Sequence, residues 1–244
     1  MEATLKGSRE RLKRGSPDDE ATAKVRAAAR ALYTEILLED TAFAVAKAIE
    51  QRLWAVDYKL IEECQGLLRE ANKRPGGLGS ESAQLEVEAC RLVLSGELQR
   101  ASQHYYGVVQ ALVAKHEVQL NVPVPNKGPS VPAAKVCQRY MVTLGDLGRY
   151  WQLYCVKTPE RKWGDAVAYY SRALMLQPND GKVHNQLAVL ASYTSDEFGS
   201  AYRYCRALST AMPFSAKENL NGLFESNRKR LSDIDRGHLN NTTV

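Results

Sequence analysis

Hydrophobic positions in this chain recur mostly at three- and four-residue steps, the spacing of helices that bury one face. Val25, Ala29, Leu32 and Ile36 form one such stripe and predict a first helix over about residues 18–38. A second, longer helix is predicted from about Thr41 to Ala71, with Val45, Ile49, Leu53, Val56, Leu60 and Leu67 on its buried face. Asn72 to Gly79, which holds Pro75, Gly76 and Gly77, ends it. Ser80 or Ser82 can cap a third helix reaching about Leu94. Gly96 permits a break before a fourth segment over about 97–117. Residues 121–132 contain Pro123, Pro125, Pro129 and Pro132 and read as an extended crossing loop, because proline lacks the donor that a helix interior needs.

Beyond Ala133 the pattern becomes repetitive. Ala166, Tyr170, Ala173 and Pro178 are matched 35 residues later by Ala201, Cys205, Leu208 and Pro213. The interval lies close to the tetratricopeptide period of about 34 residues, in which small residues let paired helices approach and proline ends each pair. Cys205 and Leu208 depart from the ideal pattern. First helices are predicted at about 133–155 and 182–194, and a further helix over about 215–231 caps the stack. Each pair buries its apolar face only against its neighbours, so the preceding helices must support it. The whole reads as an all-α domain over 20–231, between a basic tail (1–19) and a polar tail (232–244).

Composition adds limits rather than a function. The 244 residues carry a formal charge of +5, which permits an anionic partner without demanding one. The five cysteines (Cys64, Cys90, Cys137, Cys155, Cys205) show no C-x-x-C spacing, so reduced thiols in a cytoplasmic or nuclear protein are expected. No apolar leader and no membrane-spanning run is present, so no membrane partner is expected. The glycines after Pro75 lack the strand and the Gly-Lys-Ser/Thr ending of a phosphate loop and read as a linker. Serine-hydrolase, zincin and Walker signatures are missing, and the four histidines are dispersed. Neither enzymatic activity nor a cofactor or metal is expected.

The candidate chemistry centres on Leu144-Gly145-Asp146-Leu147-Gly148-Arg149-Tyr150. Val136, Tyr140, Leu144, Leu147, Trp151 and Tyr154 form the predicted core stripe of that helix. Gly145 and Gly148 each cost roughly 1 kcal/mol relative to Ala in a helix interior, so another group must press close there. Arg149 lies just off the stripe, one turn after Asp146. Two readings stay open: a brace between helices, or a guanidinium held rigid by Asp146 to bind an oxyanion through two hydrogen bonds. Asn185 falls on the next first helix, either capping near Gly181 or contacting a ligand in the same groove. By spacing alone Lys59 is a surface lysine paired with Glu62 or Glu63. Arg203, Arg206, Arg228, Lys229 and Arg230 give the C-terminal third a positive bias, which spacing alone assigns to solvated helix faces.

These pieces, with Ala168-Tyr169-Tyr170, His184-Asn185-Gln186-Leu187-Ala188 and Glu50-Gln51-Arg52-Leu53-Trp54…Tyr58-Lys59, resemble one family. It is the N-terminal domain of the Smg-type nonsense-mediated mRNA decay factors and the Est (ever shorter telomeres) telomerase-associated proteins. The likeness runs over roughly residues 25–230. It implies a 14-3-3-like antiparallel helical array whose concave groove binds phosphoserine or phosphothreonine peptides. Carried over by position, Arg149 and Lys59 hold the phosphate, Tyr150 lies beside it and Asn185 contacts the peptide backbone. The implied role is an adaptor for a phosphorylated RNA helicase of mRNA surveillance, with another Smg-type protein as a further partner. The telomerase branch implies instead telomerase RNA or single-stranded telomeric DNA, and a phospho-independent scaffold is the third reading. The family's further helical hairpins and PIN nuclease domain have no counterpart here, so nuclease activity is not expected. A longer loop near Lys157 to Trp163 leaves the shape of the groove edge open.

Overall fold

A computed structural model describes residues 20–241 except 74–80, 125–126 and 159. The expected basic tail lies outside the described residues, as does most of the glycine linker. Nine α-helices occupy the described part: α1 (Glu20–Glu39), α2 (Thr41–Ala46), α3 (Ile49–Lys73), α4 (Glu81–His116), α5 (Val131–Tyr150), α6 (Gly164–Leu176), α7 (Gly181–Tyr193), α8 (Glu197–Ser209) and α9 (Lys217–Asn241). No strand occurs among the described residues. The fold is all-α, a 14-3-3-like array carrying tetratricopeptide-type pairs.

Local chemistry sets several boundaries. Asp40, Asp180 and Asp196 cap α2, α7 and α8 by accepting from the backbone N–H of Phe43 (2.9 Å), Lys182 (2.9 Å) and Gly199 (2.8 Å). Pro132 falls in the first turn of α5, where its missing N–H costs nothing. The predicted second helix is two: the chain breaks at Lys47, and Ala48 adopts a left-handed φ of 53°. The break lets α2 turn away while Ile49 and Leu53 begin a new buried stripe on α3.

Three expectations are corrected. Gly96 ends nothing, and α4 runs unbroken because Leu94, Leu98 and Ala101 keep the buried stripe continuous across it. On α1, Val25 and Leu32 are exposed, and the face that packs is Tyr33, Ile36 and Leu37. That helix is amphipathic about a different stripe because Arg30 turns inward to pair with buried Asp57 on α3. Finally, α9 continues to Asn241, so the polar tail begins as helix.

One core joins α1 through α7, and a smaller cluster of Ala188, Tyr204, Ala207 and Ala216 ties α7, α8 and the entry to α9. Helix α5 packs on α6, and α7 on α8, as the 35-residue offset predicts. The turn into α7 depends on Gly181, where a Cβ would lie 2.5 Å from the Ala207 carbonyl oxygen and 2.7 Å from that of Met212. The same close approach lets the Gly181 N–H donate to Met212 across the repeat (2.9 Å).

Candidate functional site

Helices α3, α5 and the start of α7 border a groove with α4 beneath it. Its open part, about 360 Å³, is lined by Gln51 and Trp54 of α3, Arg139 and Asp146 of α5, and Asp180 and Lys182 at α7. The base is an aromatic stack. Tyr105 of α4 lies 5.7 Å from Trp54 and 4.8 Å from Tyr140 between ring centroids, and its hydroxyl donates to Asp57 (2.8 Å). Tyr105 and Tyr140 are almost wholly buried, so α3 and α5 are held apart by rings that cannot collapse.

Arg149 follows Asp146, which lines the groove, by one turn of α5, and its side chain is only 11% exposed. Nη2 donates to Asp146 Oδ1 (3.0 Å) and Nε to the Tyr170 hydroxyl (3.5 Å), while the guanidinium lies 4.6 Å over the Tyr150 ring. Asp146 Oδ1 also accepts from the Tyr170 hydroxyl (2.7 Å) and from the Gln186 amide of α7. One carboxylate oxygen thus gathers α5, α6 and α7 around the arginine. Burial works against the Arg149 charge, but Tyr170 and Asp146 outweigh it and hold its pKa above the ordinary value. Burial first, then Asp146, push the Tyr170 hydroxyl up, so it remains a donor at physiological pH. The bonds from Arg149 to Asp146 and Tyr170 engage two of the five N–H donors of the guanidinium, and the Tyr150 hydroxyl interacts with it as well.

Gly145 explains how Tyr170 reaches this position. A Cβ there would lie 2.5 Å from ring atom Cε1 and 2.6 Å from Cδ1. At Gly148 a Cβ would meet Ala166 at 3.8 Å, an ordinary contact. The close approach inferred from two costly glycines is therefore severe at the first and mild at the second.

Lys59 is exposed on α3 and forms no ion pair with Glu62 or Glu63 among the described residues. It lies about 100° around the helix from Tyr58. Burial, then Asp146, raise the Tyr150 pKa, with Tyr58 of α3 adding to the shift. Asn185 is buried; its oxygen accepts from Asn219 of α9 (3.1 Å) and its amide donates to Gln186 (3.3 Å). Capping falls to Asp180 instead. The contributions of Tyr170 and Gln186 were missed in sequence: the first reads as a repeat aromatic, and the second as part of a family string.

Among the described residues the Lys157–Trp163 loop contributes nothing to the lining of the groove's open part. Its anchors are Gln152, which accepts from Arg161 Nε at its carbonyl (2.8 Å) and from the Lys162 N–H at its side chain (2.9 Å). Among the described residues no cluster of His, Cys, Asp or Glu is arranged to hold a metal, and no helix is long and apolar enough to cross a membrane.

Residues 166–243 match the Est1 DNA/RNA binding domain family. The chain is 30% identical over 239 residues to the nonsense-mediated mRNA decay factor SMG7 of Arabidopsis thaliana, covering 90% of this chain and 22% of that protein. It is 27% identical over 231 residues to the telomerase-binding protein EST1A of Danio rerio, covering 94% of this chain and 14% of that protein. A solved structure of Est1 and Cdc13 aligns with a TM-score of 0.70 over 97% of this chain and 50% of that one; at 16% identity the likeness is one of fold. The chain spans about a fifth of the length of the curated relatives it matches. Over most of its length, therefore, it resembles the Smg-type decay factors and the Est telomerase-associated proteins.

Proposed function

We propose that the α3–α5–α7 groove binds peptides phosphorylated on serine or threonine, and that the protein acts as an adaptor in nonsense-mediated mRNA decay. The ligand we assign is a phosphorylated segment of an RNA helicase decay factor, with another Smg-type protein as a further partner. The observation that carries this reading is the arginine. Arg149 is nearly nine-tenths buried and fixed on two sides by Asp146 and Tyr170, which engage two of its five N–H donors. A fixed guanidinium in a partly desolvated site loses little entropy on meeting a phosphate and forms a charge-assisted bond. In this reading Lys59 supplies the second charge and Tyr150 flanks the phosphate, while Asn185, buried with its side chain engaged by Asn219 and Gln186, holds α7 in place instead of meeting the peptide backbone.

Fluorescence anisotropy with matched phosphorylated and unphosphorylated peptides tests this. The phosphorylated form binds more tightly, and Arg149→Glu and Lys59→Glu each weaken it by about tenfold or more, as removing a charge-assisted contact does. Equal binding of both peptides removes the proposal and favours a phospho-independent scaffold. Normal binding by both variants removes it too.

A second reading has its own support in the family match over 166–243. There the protein is a telomerase-associated subunit that binds telomerase RNA or single-stranded telomeric DNA through Arg203, Arg206, Arg228, Lys229 and Arg230. Affinity for an oligonucleotide would then fall steeply with salt and follow those cations rather than Arg149.

A further inference from the structure

Helix α5 has a second working face. Opposite the groove, α4, α5 and α6 enclose a larger cleft of about 610 Å³, floored by Leu98, Leu144 and Leu147. Gly148 deepens it, since no side chain stands between Leu147 and Trp151. Trp151 is the unexpected member. A helical period of 3.6 places it in the core with Leu144 and Leu147, yet it is 38% exposed. Its own N–H still bonds to Leu147 in the ordinary helical way, and the π-helical turn Trp151–Cys155, in which the Val156 N–H reaches back to the Trp151 carbonyl (3.2 Å), begins only from there. The indole is exposed because the α5 face it shares with Leu144 and Leu147 borders the cleft at this end of the helix.

Two cations stand on the cleft wall, Lys162 from the loop and Arg172 from α6. Both are exposed, and neither makes an ion pair among the described residues. Asp165, the acidic lining residue, is in the first turn of α6, where its charge answers the helix N-terminus. An aliphatic floor, a half-exposed indole and two uncommitted cations are complementary to one kind of occupant. We propose that this cleft is a second docking site, independent of the phosphopeptide groove, for a partner's peptide segment with a bulky apolar residue flanked by carboxylates. The apolar residue covers Leu144, Leu147 and the Trp151 ring, and the carboxylates meet Lys162 and Arg172. A nucleic-acid strand fits less well: the floor is aliphatic rather than a stacking platform, and two cations with Asp165 between them do not track a polyanion.

The test is selection of random peptides displayed on phage against the whole protein, followed by anisotropy with the enriched sequences. Enriched peptides combine an aromatic or large aliphatic residue with Asp or Glu. Lys162→Glu and Arg172→Glu, surface changes that leave thermal unfolding unaltered, each weaken binding by about tenfold, as reversing a charge at a binding rim does. Trp151→Phe, which keeps the fold, removes a binding-induced change in tryptophan emission, and Lys59→Glu leaves affinity unchanged. That last variant separates this site from the groove, so either proposal can fail alone. Enrichment of no acidic–apolar pattern overturns the inference, as does indifference of the selected peptides to both charge reversals. It is equally overturned if those reversals abolish binding of a single-stranded oligonucleotide, or dissociate a dimer of this chain seen by sedimentation, in place of peptide binding.

Discussion

Gly145 and Gly148 lie one turn apart on α5, and replacing each by alanine gives opposite results. In an exposed or neutral helical position the change gains about 1 kcal/mol through helix propensity. Gly148→Ala obtains that gain, because its new methyl meets Ala166 at 3.8 Å. At Gly145 the methyl would lie 2.5 Å from a ring atom of Tyr170, which is fully buried and rigid. Carbon contacts need about 3.5–4.0 Å, so the ring must retreat by about 1 Å or more. The Tyr170 hydroxyl lies 2.7 Å from Asp146, so that retreat also breaks its hydrogen bond. Overpacking costs about 1–3 kcal/mol. Losing a bond to a charged acceptor adds about 1.5–3 kcal/mol. Set against the helix gain, Gly145→Ala is destabilising by about 1.5–5 kcal/mol, and Gly148→Ala is stabilising. Urea unfolding measures both. With a slope near 2 kcal/mol/M, Gly145→Ala lowers the midpoint by about 0.8–2.5 M and Gly148→Ala raises it by about half a molar unit. Equal midpoint shifts for the two variants, in either direction, would refute the claim that Gly145 exists to admit Tyr170.

Two further outcomes follow from burial. The Cys137 thiol is wholly buried and burial pushes its pKa up to about 12, burial raises Cys155 to about 11, and Cys205 is exposed. A thiol reagent at pH 8 should therefore label Cys205 first and Cys137 only on unfolding, and Cys205→Ser should remove the fast phase; rapid labelling that survives this change contradicts the assignment. Burial, with Arg30 adding to it, holds His104 below its ordinary value despite Asp57 nearby, so the folded state binds fewer protons than the unfolded state below about pH 6.5. Stability is then fully present above that pH and falls on acidification, and His104→Gln should flatten the loss in urea midpoint between pH 7.5 and 5.5.

The helices were legible because their burial is periodic, and the repeats because small residues recur at fixed offsets. What escaped was decided by partners far away in sequence. No local pattern tells that Arg30 turns inward, since its reason is Asp57, 27 residues on. Gly96 looks like a stop, yet a helix carries a glycine at about 1 kcal/mol when its buried stripe continues on both sides. Trp151 obeys the helical period and shares a face with Leu144 and Leu147, but at that end of α5 the face borders an open cleft, which no side-chain spacing announces. At the candidate site the Asp146–Arg149 spacing was visible, but Tyr170 and Gln186 join it through α6 and α7.

Those distant additions bear on the two readings of Arg149, brace or ligand, which spacing left balanced. A pure brace uses its donors up against the groups it joins. Here the bracing is done chiefly by Asp146, whose one oxygen accepts from α5, α6 and α7, while Arg149 spends Nη2 and a long Nε contact and is stacked on Tyr150. The carboxylate locks the helices, the helices fix the arginine, and the arginine retains a donor. In the proposed function, brace and ligand are then not rival roles for one residue. They are shared between two residues three apart, and the glycine beside Asp146 makes the division possible by letting Tyr170 in.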